Sequence, residues 1–180
     1  DGETYSNVNP SFTDAGTYTV HYKIEKNNYD KVEGSKTVTI DKRAVNITAQ
    51  AQSIMWGNSI NQNSYDVSED GIAADDKIAE ITLTPSTADL TDDGTISISG
   101  VKIENTANRD VTVNYDITLE NGALTITHNT SLAPESIDAV KTKTSYKAGN
   151  TLNVDDITVT AYYSDGYSEK VTDYTTNADD

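Results

Sequence analysis

Apolar residues recur at every second position in short runs, and turn-forming residues separate the runs. From Gly16 the chain reads Thr17-Tyr18-Thr19-Val20-His21-Tyr22-Lys23-Ile24, with Tyr18, Val20, Tyr22 and Ile24 on one parity. Thr19, His21 and Lys23 occupy the other. A period of two puts these sets on opposite faces of a half-buried antiparallel strand. The same alternation marks Val38/Ile40, Val45/Ile47/Ala49, Ile96/Ile98 and Val101/Ile103. It predicts one long register through Val111, Val113, Tyr115, Ile117 and Leu119. Asn121-Gly122 sits between two such runs and predicts a tight hairpin, because the favoured turn needs positive φ at both central residues. Asp165-Gly166 predicts a second hairpin on the same ground. No long amphipathic helix is written in the chain. Residues 71–81 have room for one helical turn around Ile72, Ile78 and Ile81.

The approach to the first strand, Asp14-Ala15-Gly16-Thr17-Tyr18, has the spacing of a tyrosine corner, in which a Tyr hydroxyl bonds back to the backbone a few residues upstream. It lies so near the start that only the later strands of a sandwich fit around it. Two strand endings are alike, Lys36-Thr37-Val38-Thr39-Ile40 and Ala123-Leu124-Thr125-Ile126-Thr127. Each hands over to a fresh strand signal after a short connection. Three modules are therefore expected: 1–42 as the C-terminal half of one, 43–128 as a complete one, and 129–180 as the N-terminal half of a third. The first junction is too short to be a floppy linker, whereas Asn129-Thr130-Ser131-Leu132-Ala133-Pro134 is expected to allow more freedom.

Residues 44–127 resemble an MBG repeat of the YGX type. Ile47-Thr48-Ala49, Met55-Trp56-Gly57, Asn114-Tyr115-Asp116-Ile117 and Asn121-Gly122-Ala123-Leu124-Thr125-Ile126 carry the likeness. Trp56 stands where that family usually has Tyr. Residues 133–176 resemble the first half of a bacterial Ig-like (Big) domain, through Lys143-Thr144-Ser145-Tyr146-Lys147-Ala148-Gly149 and Val159-Thr160-Ala161-Tyr162-Tyr163-Ser164-Asp165-Gly166. Residues 5–41 resemble the latter half of a related repeat, by Asn9-Pro10-Ser11-Phe12-Thr13-Asp14-Ala15-Gly16-Thr17-Tyr18. The resemblance implies an all-β chain of tandem small Ig-like sandwich modules, the middle one closing either as a sandwich or as a β-grasp-like sheet. It also implies a large secreted or wall-attached protein of Gram-positive bacteria, and no catalytic residues define these families.

Composition sharpens this picture. Val, Ile, Leu and Phe make up roughly a fifth of the 180 residues, and the net charge is −16, values at the edge of the disordered range. The alternation and 11 Tyr argue instead for several modest cores. The absence of cysteine removes disulfides, thiolate metal sites and thiol nucleophiles, and leans toward a bacterial exterior. Acidity argues against nucleic acid and anionic membrane surfaces. No run is long and apolar enough to span a bilayer. No signal peptide is seen, so any leader or wall anchor is expected outside this segment.

Candidate chemistry is sparse. His21 has solvent-facing parity and His128 follows a terminal strand, so both read as surface histidines and assemble no catalytic triad. Asp75-Asp76, Asp92-Asp93 and Asp155-Asp156 read as solvated turn residues, and calcium is the only cofactor they raise at all. Lys23, Lys26, Lys31 and Lys102 raise an intramolecular isopeptide bond, which Lys23's outward parity disfavours. Tyr18, Tyr22, Tyr115 and Trp56 read as core. Tyr162, Tyr163 and Tyr167 flank the Asp165-Gly166 turn and are the candidate ligand-facing aromatics, since adjacent tyrosines cannot both point inward.

The expectation is a non-catalytic stalk or spacer of a bacterial surface protein, without cofactor. The alternatives are an adhesive module for host glycan, mucin or protein, and an ancillary segment of a secreted glycan-degrading enzyme. Half-modules at both ends further suggest head-to-tail self-association.

Overall fold

The computed structural model describes residues 5, 8–68, 71–150 and 156–175. In chain order its strands are β1 (Gly16–Ile24), β2 (Val32–Ile40), β3 (Arg43–Ala49), β4 (Gln52–Met55), β5 (Tyr65–Val67), β6 (Asp76–Pro85), β7 (Thr91–Asn105), β8 (Tyr115–Glu120), β9 (Gly122–Thr127), β10 (Ser136–Lys141), β11 (Ile157–Tyr162) and β12 (Ser168–Val171). Among the described residues there is no α-helix, only a 3₁₀ turn at Thr112–Asn114. The chain thus adopts the all-β, sandwich-type fold that its alternation predicts.

Among the described residues four sheets form, ordered β1-β2, β5-β3-β8, β4-β9-β7-β6 and β10-β11-β12. None mixes strands from residues 16–40, 43–127 and 136–171. By contact density the chain divides into two compact units, and these cut across the middle stretch. The first comprises 1–50, 62–84 and 97–121; the second comprises 51–61, 85–96 and 122–180. In the first unit Val45, Ile47, Ala49, Leu83, Ile103 and Tyr115 are buried, and in the second Ile60, Ile96, Leu124, Ile126, Val159 and Ala161. Each large aliphatic side chain so buried contributes about 1.5–3 kcal/mol.

The tyrosine corner is present. Tyr18 Oη donates to the Asp14 carbonyl at 2.8 Å, and Phe12 stacks on the Tyr18 ring at 4.0 Å. β1 and β2 form a regular antiparallel pair, with Thr17 opposite Thr39 on one face and Tyr18 opposite Val38 on the other. The apolar face is only thinly covered: Tyr22, Ile24 and Val32 are 45%, 61% and 51% exposed. Tyr22 therefore packs as an exposed cross-strand partner and not as core, its ring lying over Gly34.

Gly100, at φ 63°, stands where the buried positions of β7 change parity. Ile96 and Ile98 are buried before it and Ile103 after it.

Several expectations fail in instructive ways. Residues 71–81 hold no helical turn; the chain bends at 71–72, turns at 74–75, and Ile78 and Ile81 lie on β6. The predicted long register through Val111 and Val113 breaks at the 3₁₀ turn, which leaves Val113 69% exposed. Most informative is Asn121-Gly122. Neither residue has positive φ, and β8 and β9 belong to different sheets. β8 pairs parallel with β3, while β9 pairs parallel with β4 and antiparallel with β7. Long-range partners that offer a buried face outcompete the local turn preference.

Candidate functional site

Among the described residues, the structure brings polar and aromatic groups together at two joints. The first lies where Asp14 precedes β1. Arg109 grips the Asp14 carboxylate with both guanidinium nitrogens, Nη1 to Oδ2 at 3.0 Å and Nη2 to Oδ1 at 2.8 Å. Asn114 Nδ2 adds a bond to Oδ1 at 2.9 Å, and its Oδ1 accepts from the Ala15 amide at 2.9 Å. The hydrogen bonds from Arg109 and then Asn114 hold the Asp14 carboxyl down at about 2. Planar, bidentate pairing of this kind fixes geometry as well as charge. A pocket of about 160 Å³ beside it is lined by residues including Ala15, Arg43, Asp76 and Tyr115. Tyr115 spans that pocket, donating to Asp76 Oδ2 at 2.5 Å and accepting from the Ala73 amide at 3.1 Å. Burial, then the Asp76 bond, pushes the Tyr115 hydroxyl above its ordinary range.

The second joint is the turn between β11 and β12. Asp165 is buried. Its Oδ2 accepts from His128 Nδ1 at 2.7 Å and from the Asn129 amide at 3.1 Å, and its Oδ1 accepts from the Tyr167 amide at 3.1 Å. Burial alone would raise this carboxyl, but the Asn129, His128 and Tyr167 bonds together hold it below the usual range. His128 stacks on Tyr167 with centroids 4.2 Å apart and meets Tyr163 edge-on at 4.6 Å. Tyr163 Oη donates to Glu169 Oε1 at 2.6 Å, which raises its own titration range. The turn itself is a hairpin as predicted, but only Gly166 has positive φ, at 84°. The Tyr163 amide donates to the Tyr167 carbonyl across it at 3.0 Å and the Gly166 amide to the Tyr163 carbonyl at 3.1 Å, so it is a three-residue loop closed by a bulge glycine.

Two readings change accordingly. His128 is not a surface histidine: its side chain is 16% exposed and locked to Asp165. The junction 129–134 is also tethered, because its first residue bonds Asp165 and, through Nδ2, the Trp56 carbonyl at 3.4 Å. His21, by contrast, is exposed on β1.

The three candidate tyrosines do not make one platform. Tyr163 and Tyr167 gather around His128, whereas Tyr162 lies in the β10-β11-β12 sheet opposite Ser136 and Ser168. Tyr162 and Tyr167 retain exposed surface. The sequence carried no sign of the His128–Asp165 pairing, since the two residues stand 37 positions apart.

Asp76 opens β6 and Asp92 and Asp93 lie on β7, while Asp155 falls outside the described residues. Among the described residues no group of three or more His, Asp or Glu side chains converges as a metal site would require. Lys102 bonds Glu80 at 3.2 Å and Glu104 at 2.8 Å, and Lys23 pairs with Glu25 at 2.9 Å. Two open grooves of about 410 and 530 Å³ run beside β5 and β6, sharing Tyr65 and Ile78 in their walls. No family model, curated protein or solved structure matches this chain.

Proposed function

We propose that the chain is a non-catalytic, extracellular repeat segment of a bacterial surface protein, serving as a stalk or spacer in adhesion. One observation supports it most: polar chemistry is spent on joints. Asp14 ties the segment before β1 to Arg109 and Asn114, and Asp165 ties the β11–β12 turn to His128 and Asn129. Asp165 fixes the His128 ring through Nδ1, and Tyr163 and Tyr167 pack against that ring, so the group orients the turn. The cysteine-free, strongly acidic composition suits a surface segment that must stay soluble and separate from its neighbours.

The test is binding of the whole chain to glycan arrays, mucin and host matrix proteins. A spacer shows no saturable binding. Saturable binding that falls in Tyr162→Ala or Tyr167→Ala would establish the adhesive alternative, which draws its support from the exposed surface those two rings keep.

A further inference from the structure

The direction of strand pairing bears on how the chain carries tension. β3 and β8 run parallel, from Arg43 opposite Tyr115 to Thr48 opposite Glu120. The backbone enters β3 at Arg43 and leaves β8 at Glu120. A pull from before Arg43, opposed by a pull from after Glu120, drags the two strands past each other along their common axis. Hydrogen bonds in a parallel ladder are evenly spaced, so this shear loads the whole ladder at once.

Three further features resist sliding. β3 is the middle strand of its sheet, so drawing β3 itself out also breaks its pairing with β5 at Ile47, Thr48 and Ala49. Val45, Ile47 and Tyr115 are buried, which keeps one face of the ladder dry and denies strained amides replacement by water. On the other face the Thr48 hydroxyl donates to Glu120 Oε2 across the pair at 3.1 Å. The β4–β9 pair repeats the design within the second unit, parallel from Gln52 opposite Leu124 to Met55 opposite Thr127, with β9 an interior strand. The β1–β2 hairpin is the reverse case. Its open end pairs Gly16 with Ile40, so tension across that end peels the partners one after another.

We infer that the β3–β8 and β4–β9 parallel pairs are mechanical clamps, giving the chain a mechanical function: resistance to forced extension between residues 43 and 127. This deepens the stalk reading and takes its biological meaning from it.

Single-molecule force spectroscopy on the full chain tests the clamp. Because the chain contains no cysteine, paired cysteines place the handles cleanly. Lys42→Cys with Asn121→Cys loads β3–β8 in shear. Ala44→Cys with Asp116→Cys, exposed register partners, peels the same ladder from one end. At equal loading rate the shear geometry is expected to need several-fold more force, since forced unfolding follows the unfolding rate along the pulled path. Equal forces in the two geometries, or a lower force in shear, overturn the clamp. A saturable ligand would defeat the spacer reading yet leave this force ratio unchanged, so the two failures are distinct.

Discussion

The β1–β2 hairpin and β3, its immediate successor in the chain, are written in the same alternation and end in different surroundings. Tyr22, Ile24 and Val32 on the hairpin keep about half their surface in water. Val45, Ile47 and Ala49 on β3 keep 2%, 0% and 3%. The alternating residues are equally apolar in both; the number of neighbours differs. β1 and β2 have only each other, while β3 lies between β5 and β8. Alternation chooses which face is apolar, but burial depends on strands brought from far along the chain.

That contrast can be broken most sharply at paired isoleucines. Ile47→Ala is expected to cost about 2–5 kcal/mol, as truncation in a closed core does. Ile24→Ala should stay within about 0.5 kcal/mol, the range of surface changes. Urea midpoints read by far-UV circular dichroism decide it, and equal shifts would mean the hairpin face is as dry as the sheet.

Paired glycines sharpen the same point at smaller scale. A methyl group at Gly71 would lie 2.6 Å from Val45 Cγ2 and 3.0 Å from the Ser68 carbonyl. Neither neighbour yields easily, so Gly71→Ala should destabilise by about 1–3 kcal/mol through overpacking. At Gly34 the methyl meets the Tyr22 hydroxyl at 2.5 Å, the far end of a half-exposed side chain that can swing away. Gly34→Ala should therefore barely move the urea midpoint, and a loss matching that of Gly71→Ala would show that Tyr22 is held.

The third comparison concerns how the hairpin is fastened. Asp14, just ahead of β1, depends on the exposed Arg109 pair, and its carboxyl titrates at about 2 in place of 3.8. A depressed folded value means the stabilisation is complete above 3.8 and is lost as pH falls through that value toward about 2. Acid should loosen this fastening over that window while β3 keeps its apolar core. Arg109→Gln should raise the Asp14 titration toward 3.8, as read by carboxyl NMR. A value that stays near 2 would transfer the credit to Asn114. The effect on global stability should be the smallest of the three, because exposed ion pairs contribute little.

Much of the architecture was legible in local patterns. The strand faces, the tyrosine corner at Tyr18 and the Asp165-Gly166 hairpin each rest on a few neighbouring residues. The misses share a different character. Asn121-Gly122 carries a strong hairpin signal, yet β8 and β9 each pair with a strand from early in the chain. Parallel pairing over such separations leaves no turn to read. His128 was misplaced for the same reason, since its partner Asp165 is remote in sequence.

By itself, then, the sequence determined that the chain is all strand, which face of each strand is apolar, and that cysteine chemistry is absent. These follow from side-chain period and residue inventory, which act over a few positions. The tertiary structure alone decided that β3 lies beside β8, that β4 lies beside β9, and that Asp14 and Asp165 are joints. Those choices compare the free energies of whole alternative pairings, and only the assembled fold supplies the buried surface that makes one of them win.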